Sequence, residues 1–311
     1  MRVTNNSYTD NLISNFHAIA RRQIQLQDQI ATGQRIQNAS DDPFAAQQVL
    51  QLRDDSVANA QYQKNIGVHN EFADVTHGVM RNFQKVLDRA QEIAFTVDEI
   101  DSPEDLESYA TELDSLIKHA VQIANAQHRG EYVLAGTMSN TKPFTATENP
   151  NGSVTAVTFD GSSTTAESEI APGVLVSSRV PGENRGGAGE RGLIVDSAAG
   201  ADIFAHLIAL RDQLASGDVD TIRTTTRDQL RADEENVLFH MAQNGALQSR
   251  LESSLASAKD EAHALESEIS SRADVDLPEA IVRLNQQQTN YQAALQSASS
   301  IMNLSLLNFI R

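Results

Sequence analysis

The feature that most constrains the fold is a stretch of about fifty residues, 219–271, in which Gly245 is the only helix-breaking residue. From Val237 to Ile269, apolar and amide side chains recur at intervals of four and three residues. This spacing keeps one face of an α-helix against a neighbouring helix. A helix of that length reaches roughly 80 Å, well beyond ordinary globular helices. The pattern therefore predicts a helix of a rod or coiled coil.

The two ends of the chain carry further stripes with the same spacing. Gly33 ends the first stripe, and Leu277-Pro278 precedes the second. Eight of the twenty residues from 284 to 303 are Asn or Gln, which hydrogen-bond across helices without the desolvation cost of charges. Either these amides form a solvated face, or neighbouring copies complete the narrow stripes. On the second interpretation the assembly residues are Leu12, Phe16, Ile19, Leu26, Ile30, Leu284, Tyr291, Leu295, Met302 and Leu306.

Capping signals place the other helices. Ser40-Asp41-Asp42-Pro43 is typical of a helix start, and Ser102-Pro103-Glu104-Asp105 repeats the signal. These signals predict one helix from Pro43 into the nineties and a third to about Gln127. A short helix is expected over 202–215, stopped at Gly217.

The segment 138–192 has a different composition, rich in Gly, Ser and Thr. Val154–Phe159 alternates as a strand does, Asp160-Gly161 offers a hairpin turn, and Gly173–Val176 reads as another strand. We therefore predict a mainly α fold: a long antiparallel helical rod or coiled coil formed by the N- and C-terminal segments, with a small β-rich central insertion. The expected domains are terminal assembly helices (1–40 with 275–311), a helical rod (41–137 with 193–274) and the insertion (138–192). Few contacts are expected to cross the insertion's boundary, which would lie at the rod end opposite the termini.

Composition argues against several classes of function. The net charge of −18 disfavours nucleic acid and anionic membranes as partners. No apolar run approaches the ~20 residues of a membrane span, and the first residues lack the apolar core of a secretory signal. This predicts a cytoplasmic protein, or one exported without cleavage. With no cysteine, the chain has no disulfide framework, thiolate metal site or cysteine nucleophile.

Candidate chemical motifs have simpler explanations. Residues 187–192 match GxGxxG, but they follow a Pro-Gly loop and precede a strand-like triplet, whereas a dinucleotide site opens a helix. His69 and His77 are eight residues apart and do not share a helix face. Asp41 and Asp42 precede a proline and fit a helix cap better than a catalytic dyad. We predict no catalytic, cofactor or metal site, and the chain is not expected to be an enzyme.

Two motifs carry a family resemblance. Gly33-Gln34-Arg35-Ile36 with Ser40-Asp41-Asp42-Pro43, and Gly245–Glu252 with its Leu247, Arg250 and Leu251, resemble the N- and C-terminal motifs of the flagellin superfamily. Gly130–Thr137, Lys142-Pro143-Phe144 and the tail from Gln286 look like the hook-associated junction branch of that family rather than its filament subunits. The final Arg311 departs from the pattern of the junction branch, because it is flagellins that often end in arginine.

This resemblance implies a structural subunit that joins the flagellar hook to the filament. It implies export through the flagellar type III channel without a cleaved signal peptide, with a dedicated cytoplasmic chaperone. Outside the cell, copies would form a ring or helical oligomer between the first hook-associated protein and flagellin. Two alternatives stay open: flagellin itself, and a cytoplasmic coiled-coil scaffold.

Overall fold

The computed structural model describes residues 4–97 and 102–309, with side chains from 11 to 299 except that of Leu12. The chain divides into a unit of residues 1–59 with 260–311 and a unit of residues 60–259. The helices of the described ranges are α1 (Thr4–Thr32), α2 (Pro43–Thr96), α3 (Pro103–Ala124), α4 (Ile203–Ser216), the short α5 (Val219–Thr221), α6 (Arg227–Ala273) and α7 (Leu277–Phe309). A π-helical turn, Ile222–Thr226, joins α5 to α6.

The strands are short and lie between α3 and α4. They are β1 (Gln127–His128), β2 (Glu131–Tyr132), β3 (Phe144–Glu148), β4 (Val154–Phe159), β5 (Ser168–Ala171), β6 (Val174–Val176), β7 (Glu183–Asn184), β8 (Val195–Asp196) and β9 (Ala201–Asp202). The pairs β1–β2, β3–β4 and β5–β6 are antiparallel, and β8 lies between β7 and β9. The predicted fold class is confirmed: the chain is mainly α, with long terminal helices and a small β-rich central region.

Helix starts and ends follow the predicted signals. Pro103 opens α3, and Asp202 caps α4 by accepting a hydrogen bond from the Ala205 amide at 3.1 Å. Gly217 ends α4 with φ 72°, a left-handed conformation that glycine adopts without steric cost. The third helix ends at Ala124, earlier than the predicted Gln127, because the chain turns there into β1.

The core of the 60–259 unit is built from helices and strands together. Met80, Phe83 and Leu87 of α2 are inaccessible to solvent, as are side chains of α3 and α4. Phe144 of β3 and Val154 of β4 belong to this same apolar cluster. A second, smaller cluster contains Ile66, Ile170, Val176, Leu251 and Ala258.

A buried arginine attaches the β3–β4 hairpin to the helices. The Arg211 guanidinium donates to the Val154 carbonyl and to Asp114 Oδ1, the latter at 3.1 Å. The same Asp114 oxygen accepts from the Val154 amide at 3.1 Å. The expectation that few contacts cross the boundary of the insertion is therefore wrong. Its strands supply part of the helical core, and Leu193 and Ile194, just beyond it, are also fully buried.

The predicted turn at Asp160-Gly161 is also wrong. β4 pairs backward with β3, so the hairpin turn is formed by residues 149–153, where the Gly152 amide donates to the Asn149 carbonyl at 2.9 Å. Gly161 serves packing instead, because a Cβ atom there would lie 2.5 Å from the Phe159 ring.

A row of buried polar side chains on α6 forms hydrogen bonds with backbone carbonyls of neighbouring segments. Asn236 donates to the carbonyls of Gly192 and Leu193 at 2.9 and 3.0 Å, and His240 Nε2 lies 3.2 Å from the Gly192 carbonyl. One turn further, Asn244 donates to the Ala73 carbonyl of α2 at 2.8 Å. Burial lowers the pKa of His240 below its ordinary value, so the ring is neutral at pH 7.

The GxGxxG segment is part of this arrangement. Asn184 donates to the Ala188 and Glu190 carbonyls at 3.1 and 2.7 Å. Its Oδ1 accepts from the Gly187 amide at 3.1 Å. The segment leads into β8 and opens no helix, which is consistent with a loop.

Candidate assembly interface

The N-terminal family motif forms a corner that joins two helix ends within the 1–59 and 260–311 unit. Gly33 ends α1 with φ 72°, a conformation that a side chain would strain. Its carbonyl accepts from the Val275 amide at 2.9 Å, and the Arg35 amide donates to the Ala273 carbonyl at 2.6 Å. Gln34 and Asp274 pair between these bonds. We call these residues, with Asp41, Asp42, Pro43 and Arg272, the motif corner.

Arg35 and Asp42 connect the corner to the start of α2. Arg35 Nη2 donates to the Arg272 carbonyl at 2.8 Å, and Nη1 lies 3.3 Å from Asp42 Oδ2. Asp42 Oδ1 accepts from the Ala45 amide at 3.1 Å, which is the bond of an N-cap residue. The Ala45 amide and then the Arg35 guanidinium hold the pKa of Asp42 below its usual value.

The other motif residues support the same turn. Asp41 Oδ2 accepts from the amides of Gln37 and Asn38 at 3.3 and 2.9 Å, and Pro43 is the first residue of α2. The cap interpretation is therefore confirmed for Asp42, whereas Asp41 stabilises the turn that precedes the helix.

The predicted assembly residues lie on two helices that pack against each other in an antiparallel pair. Phe16 of α1 meets Tyr291 of α7 edge to face, with ring centroids 5.9 Å apart. Half-buried residues follow the predicted stripe on both helices: Phe16, Ile19, Leu26, Ile30, Leu284 and Tyr291. The side chains of Leu12, Met302 and Leu306 lie outside the described ones.

The stripe on α7 is rotated from the one expected. Its inward members are Ala280, Leu284, Gln287, Tyr291, Ala294 and Ala298. Leu295 is instead 46% exposed, as is Ile281. The inward row thus includes an amide at 287 and alanines at 280, 294 and 298, while the larger Ile281 and Leu295 face outward.

This helix pair buries very little. Ala280 is the one buried side chain among those described on α1 and α7. Exposed large apolar residues of this unit include Ile13, Ile24, Phe44, Leu50, Val57, Leu277, Ile281, Val282 and Leu295. An exposed set of this kind marks an interaction surface more often than an isolated apolar residue does.

The C-terminal family motif contributes to the core of the 60–259 unit. Leu251 is fully buried in the second apolar cluster, Leu247 is half-buried against it, and Arg250 is exposed.

Sequence reasoning missed Arg272, the α6 residue of the motif corner, which also contacts α2. Its backbone carbonyl accepts from Arg35, and its guanidinium reaches Gln48 of α2 and Glu268 of α6, the latter at 2.6 Å. No spacing signal pointed to it, because Arg35 and Arg272 are 237 residues apart in the chain.

Within the described ranges, no group of three or more acidic, histidine or cysteine side chains is arranged to hold a metal ion. The described helices also include none with the length and apolar character that crossing a bilayer requires.

Family models and named relatives match both helical ends of this chain. The model of the bacterial flagellin N-terminal helical region matches residues 3–139, and that of the C-terminal helical region matches residues 235–310. Flagellar hook-associated protein 3 of Escherichia coli strain K12 is 26% identical over 293 residues, which are 90% of this chain and 90% of that protein. The Salmonella typhimurium protein of the same name is 26% identical over 303 residues, 93% of each chain.

The fold is also found in a crystal structure of flagellar hook-associated protein 3 from Legionella pneumophila. The TM-score is 0.60 at 14% identity, over 72% of this chain and 98% of that one. The two helical-region models together span the motif corner, the α1–α7 pair and the C-terminal motif. The chain therefore belongs to the flagellin family.

Proposed function

We propose that this chain is a structural subunit of the bacterial flagellum that joins the hook to the flagellin filament. The observation that carries the proposal is the α1–α7 pair. It has apolar stripes at both ends of the chain, yet Ala280 is its one buried side chain among those described. Packing of this kind leaves most of the apolar surface for other chains to cover.

Relatives named flagellar hook-associated protein 3, aligned over 90% or more of their length, favour the junction over a filament subunit. The chain would then have two kinds of structural partner, the first hook-associated protein and flagellin, and would contact further copies of itself in a ring or helix. A heterologous contact that repeats around an axis produces such an assembly.

We also propose export through the flagellar type III system without a cleaved signal, aided by a cytoplasmic chaperone, and a final location outside the cell. The role is structural rather than enzymatic. In this proposal the assembly residues act through shape and apolar area.

A strain lacking the chain separates the candidates. We expect complete hooks without filaments in electron micrographs, with flagellin released into the medium, and full recovery when the chain is restored. Loss of the filament protein itself would identify the chain as flagellin. A chain found by fractionation in the cytoplasm alone would identify a scaffold and contradict the junction.

A further inference from the structure

The sequence contains two Asn-Gly pairs, and the structure places them in opposite surroundings. Asn151-Gly152 lies at the tip of the β3–β4 hairpin, where Asn151 is exposed. Asn244-Gly245 lies inside α6, where Asn244 is only 5% exposed and its side chain donates to the Ala73 carbonyl at 2.8 Å. An asparagine followed by glycine is chemically the most reactive such pair, because glycine has no side chain to keep its amide nitrogen away from the asparagine carboxamide.

Three backbone amides of the hairpin tip donate to a single residue, Asn149. Its carbonyl accepts from the Gly152 amide at 2.9 Å, and its Oδ1 accepts from the Asn151 and Ser153 amides at 3.0 and 2.9 Å. The Gly152 nitrogen must leave its bond to Asn149 before it can turn toward the Asn151 side chain. Opening a few bonds at an exposed loop tip costs far less than opening a packed helix. We therefore expect Asn149 to control how often the reactive arrangement forms.

We propose that Asn151 is a site of spontaneous modification, where asparagine is converted to aspartate and isoaspartate. The Gly152 nitrogen attacks Asn151 Cγ, the Cγ–Nδ2 bond breaks, and ammonia leaves with the proton that the attacking nitrogen gave up. Water then opens the resulting cyclic imide. Breakage of the bond between nitrogen and Cγ yields aspartate, and breakage of the bond to the backbone carbonyl carbon yields isoaspartate. Either product adds one negative charge to the hairpin tip.

Isoaspartate also changes the length of the main chain, which then runs through Cγ and gains a methylene group inside the turn. The acceptors of Asn149 can then no longer face the same amides. Val154 begins β4 just after this turn; its amide donates to Asp114 Oδ1 at 3.1 Å, and its carbonyl accepts from the buried Arg211. Isoaspartate should therefore loosen the attachment of β4 to the helices, whereas aspartate should leave it in place. The inference goes beyond the proposed function and does not depend on it.

Incubation of the purified full-length chain in mildly alkaline buffer tests the site, because hydroxide assists removal of the amide proton. Peptide mapping by mass spectrometry measures the loss of ammonia at Asn151 and at Asn244. In the folded chain, Asn151 should react at least about tenfold faster than Asn244, because only Asn244 must wait for a packed helix to open. In denaturant, the two pairs should react at similar rates.

Two variants test the role of the turn. Asn151→Gln keeps an amide but requires a larger ring for the same attack, so position 151 should stay unmodified. Asn149→Ala removes the side-chain acceptor and should make Asn151 react several times faster, while Asn244 in the same chain reports whether the whole unit has opened. An Asn151 that reacts no faster than Asn244 in the folded chain, or that Asn149→Ala leaves unchanged, would overturn the proposal.

The two products test the effect on the hairpin. The isoaspartate form is separated from the aged chain by chromatography, and Asn151→Asp supplies the aspartate form. Hydrogen exchange of residues 144–159, followed by mass spectrometry, should be faster in the isoaspartate form than in the fresh chain and unchanged in Asn151→Asp. Equal exchange in all three would show that β4 stays attached and would overturn the effect assigned to the modification.

Discussion

The α1–α7 pair and the 60–259 unit follow the same spacing in sequence but bury it to different extents. In the 60–259 unit, the apolar stripes of α2 and α6 are covered by α3, α4 and the β strands. Phe83, Leu87 and Leu251 therefore lose all contact with solvent. In the terminal pair, α1 and α7 cover each other and leave Phe16 and Tyr291 half-buried. An apolar stripe therefore predicts a helix face that packs against another element or another chain. The number of elements packed on that face decides whether it becomes a core.

Two phenylalanines test this difference most strongly. Phe144→Ala should destabilise the 60–259 unit by about 3–5 kcal/mol, because a side chain 1% exposed leaves a cavity among α3, α4 and β4. Phe16→Ala should cost roughly 1 kcal/mol, since it loses one edge-to-face contact on a half-buried surface. Chemical denaturation followed by circular dichroism measures both. Equal costs would mean that the terminal pair holds a core of its own.

The motif corner gives the next largest effect. Asp42→Ala should lower the denaturation midpoint of the unit that contains it, because α2 loses its N-cap bond to the Ala45 amide. Asp42→Asn keeps a cap acceptor and removes only an exposed ion pair with Arg35, so it should stay near the parent value. Denaturation of both variants separates the cap from the charge. An Asn variant as unstable as the Ala variant would assign the effect to the ion pair.

The helices and the N-terminal motif were predictable because their signals are local. Each signal acts within one or two turns of helix: the proline after Asp42, the glycines at 33 and 217, and the regular apolar stripes. The position of the hairpin turn was predicted wrongly for a related reason. Asn151-Gly152 and Asp160-Gly161 are both good local turns, and only the pairing of β4 with β3 chooses between them.

Long-range contacts account for what the sequence did not reveal. Arg272 meets Arg35 across 237 residues, and the buried Arg211 connects α3, α4 and β4. The alternation in Val154–Phe159 identified a strand, but it could not show that Val154 enters the helical core. The rotation of the α7 stripe likewise depends on which residues of α7 pack toward α1, and the spacing alone did not identify them.

Acid should weaken the 60–259 unit through its buried histidines. Burial lowers the folded-state pKa of His240 and His69, so the unfolded chain takes up protons first. Their stability contribution is present above the unfolded value of about 6.5 and is lost as the pH falls below it. His206 has the opposite sign: burial alone would lower its pKa, but the Asp233 carboxylate at 2.8 Å raises it. The contribution of His206 to stability is present below its unfolded-state pKa and is lost as the pH rises through its folded-state pKa.

Thermal unfolding between pH 5 and 8 checks these signs. His240→Gln keeps a donor toward the Gly192 carbonyl and should reduce the loss at acid pH. The exposed His119→Gln serves as the matched control and should leave the pH profile unchanged. An acid loss as large in the His240 variant as in the parent chain would exclude that ring as its source.

The smallest effect on the isolated chain is expected on the outward row of α7. Leu295→Asp places a carboxylate on a side chain 46% exposed and should change the free energy of unfolding by no more than about 0.5 kcal/mol. Leu284→Asp, one residue of the inward row, should cost more, because the half-buried stripe toward α1 must then desolvate a charge. In the assembled flagellum, a neighbouring chain would bury the carboxylate introduced at position 295 without pairing it with a cation. Filaments should therefore no longer attach to hooks. Electron microscopy of the deletion strain that carries each variant measures attachment, and secretion of the variant into the medium controls for export. Normal filaments with Leu295→Asp would show that the outward row of α7 stays in contact with water in the flagellum, and that the terminal pair assembles through another face.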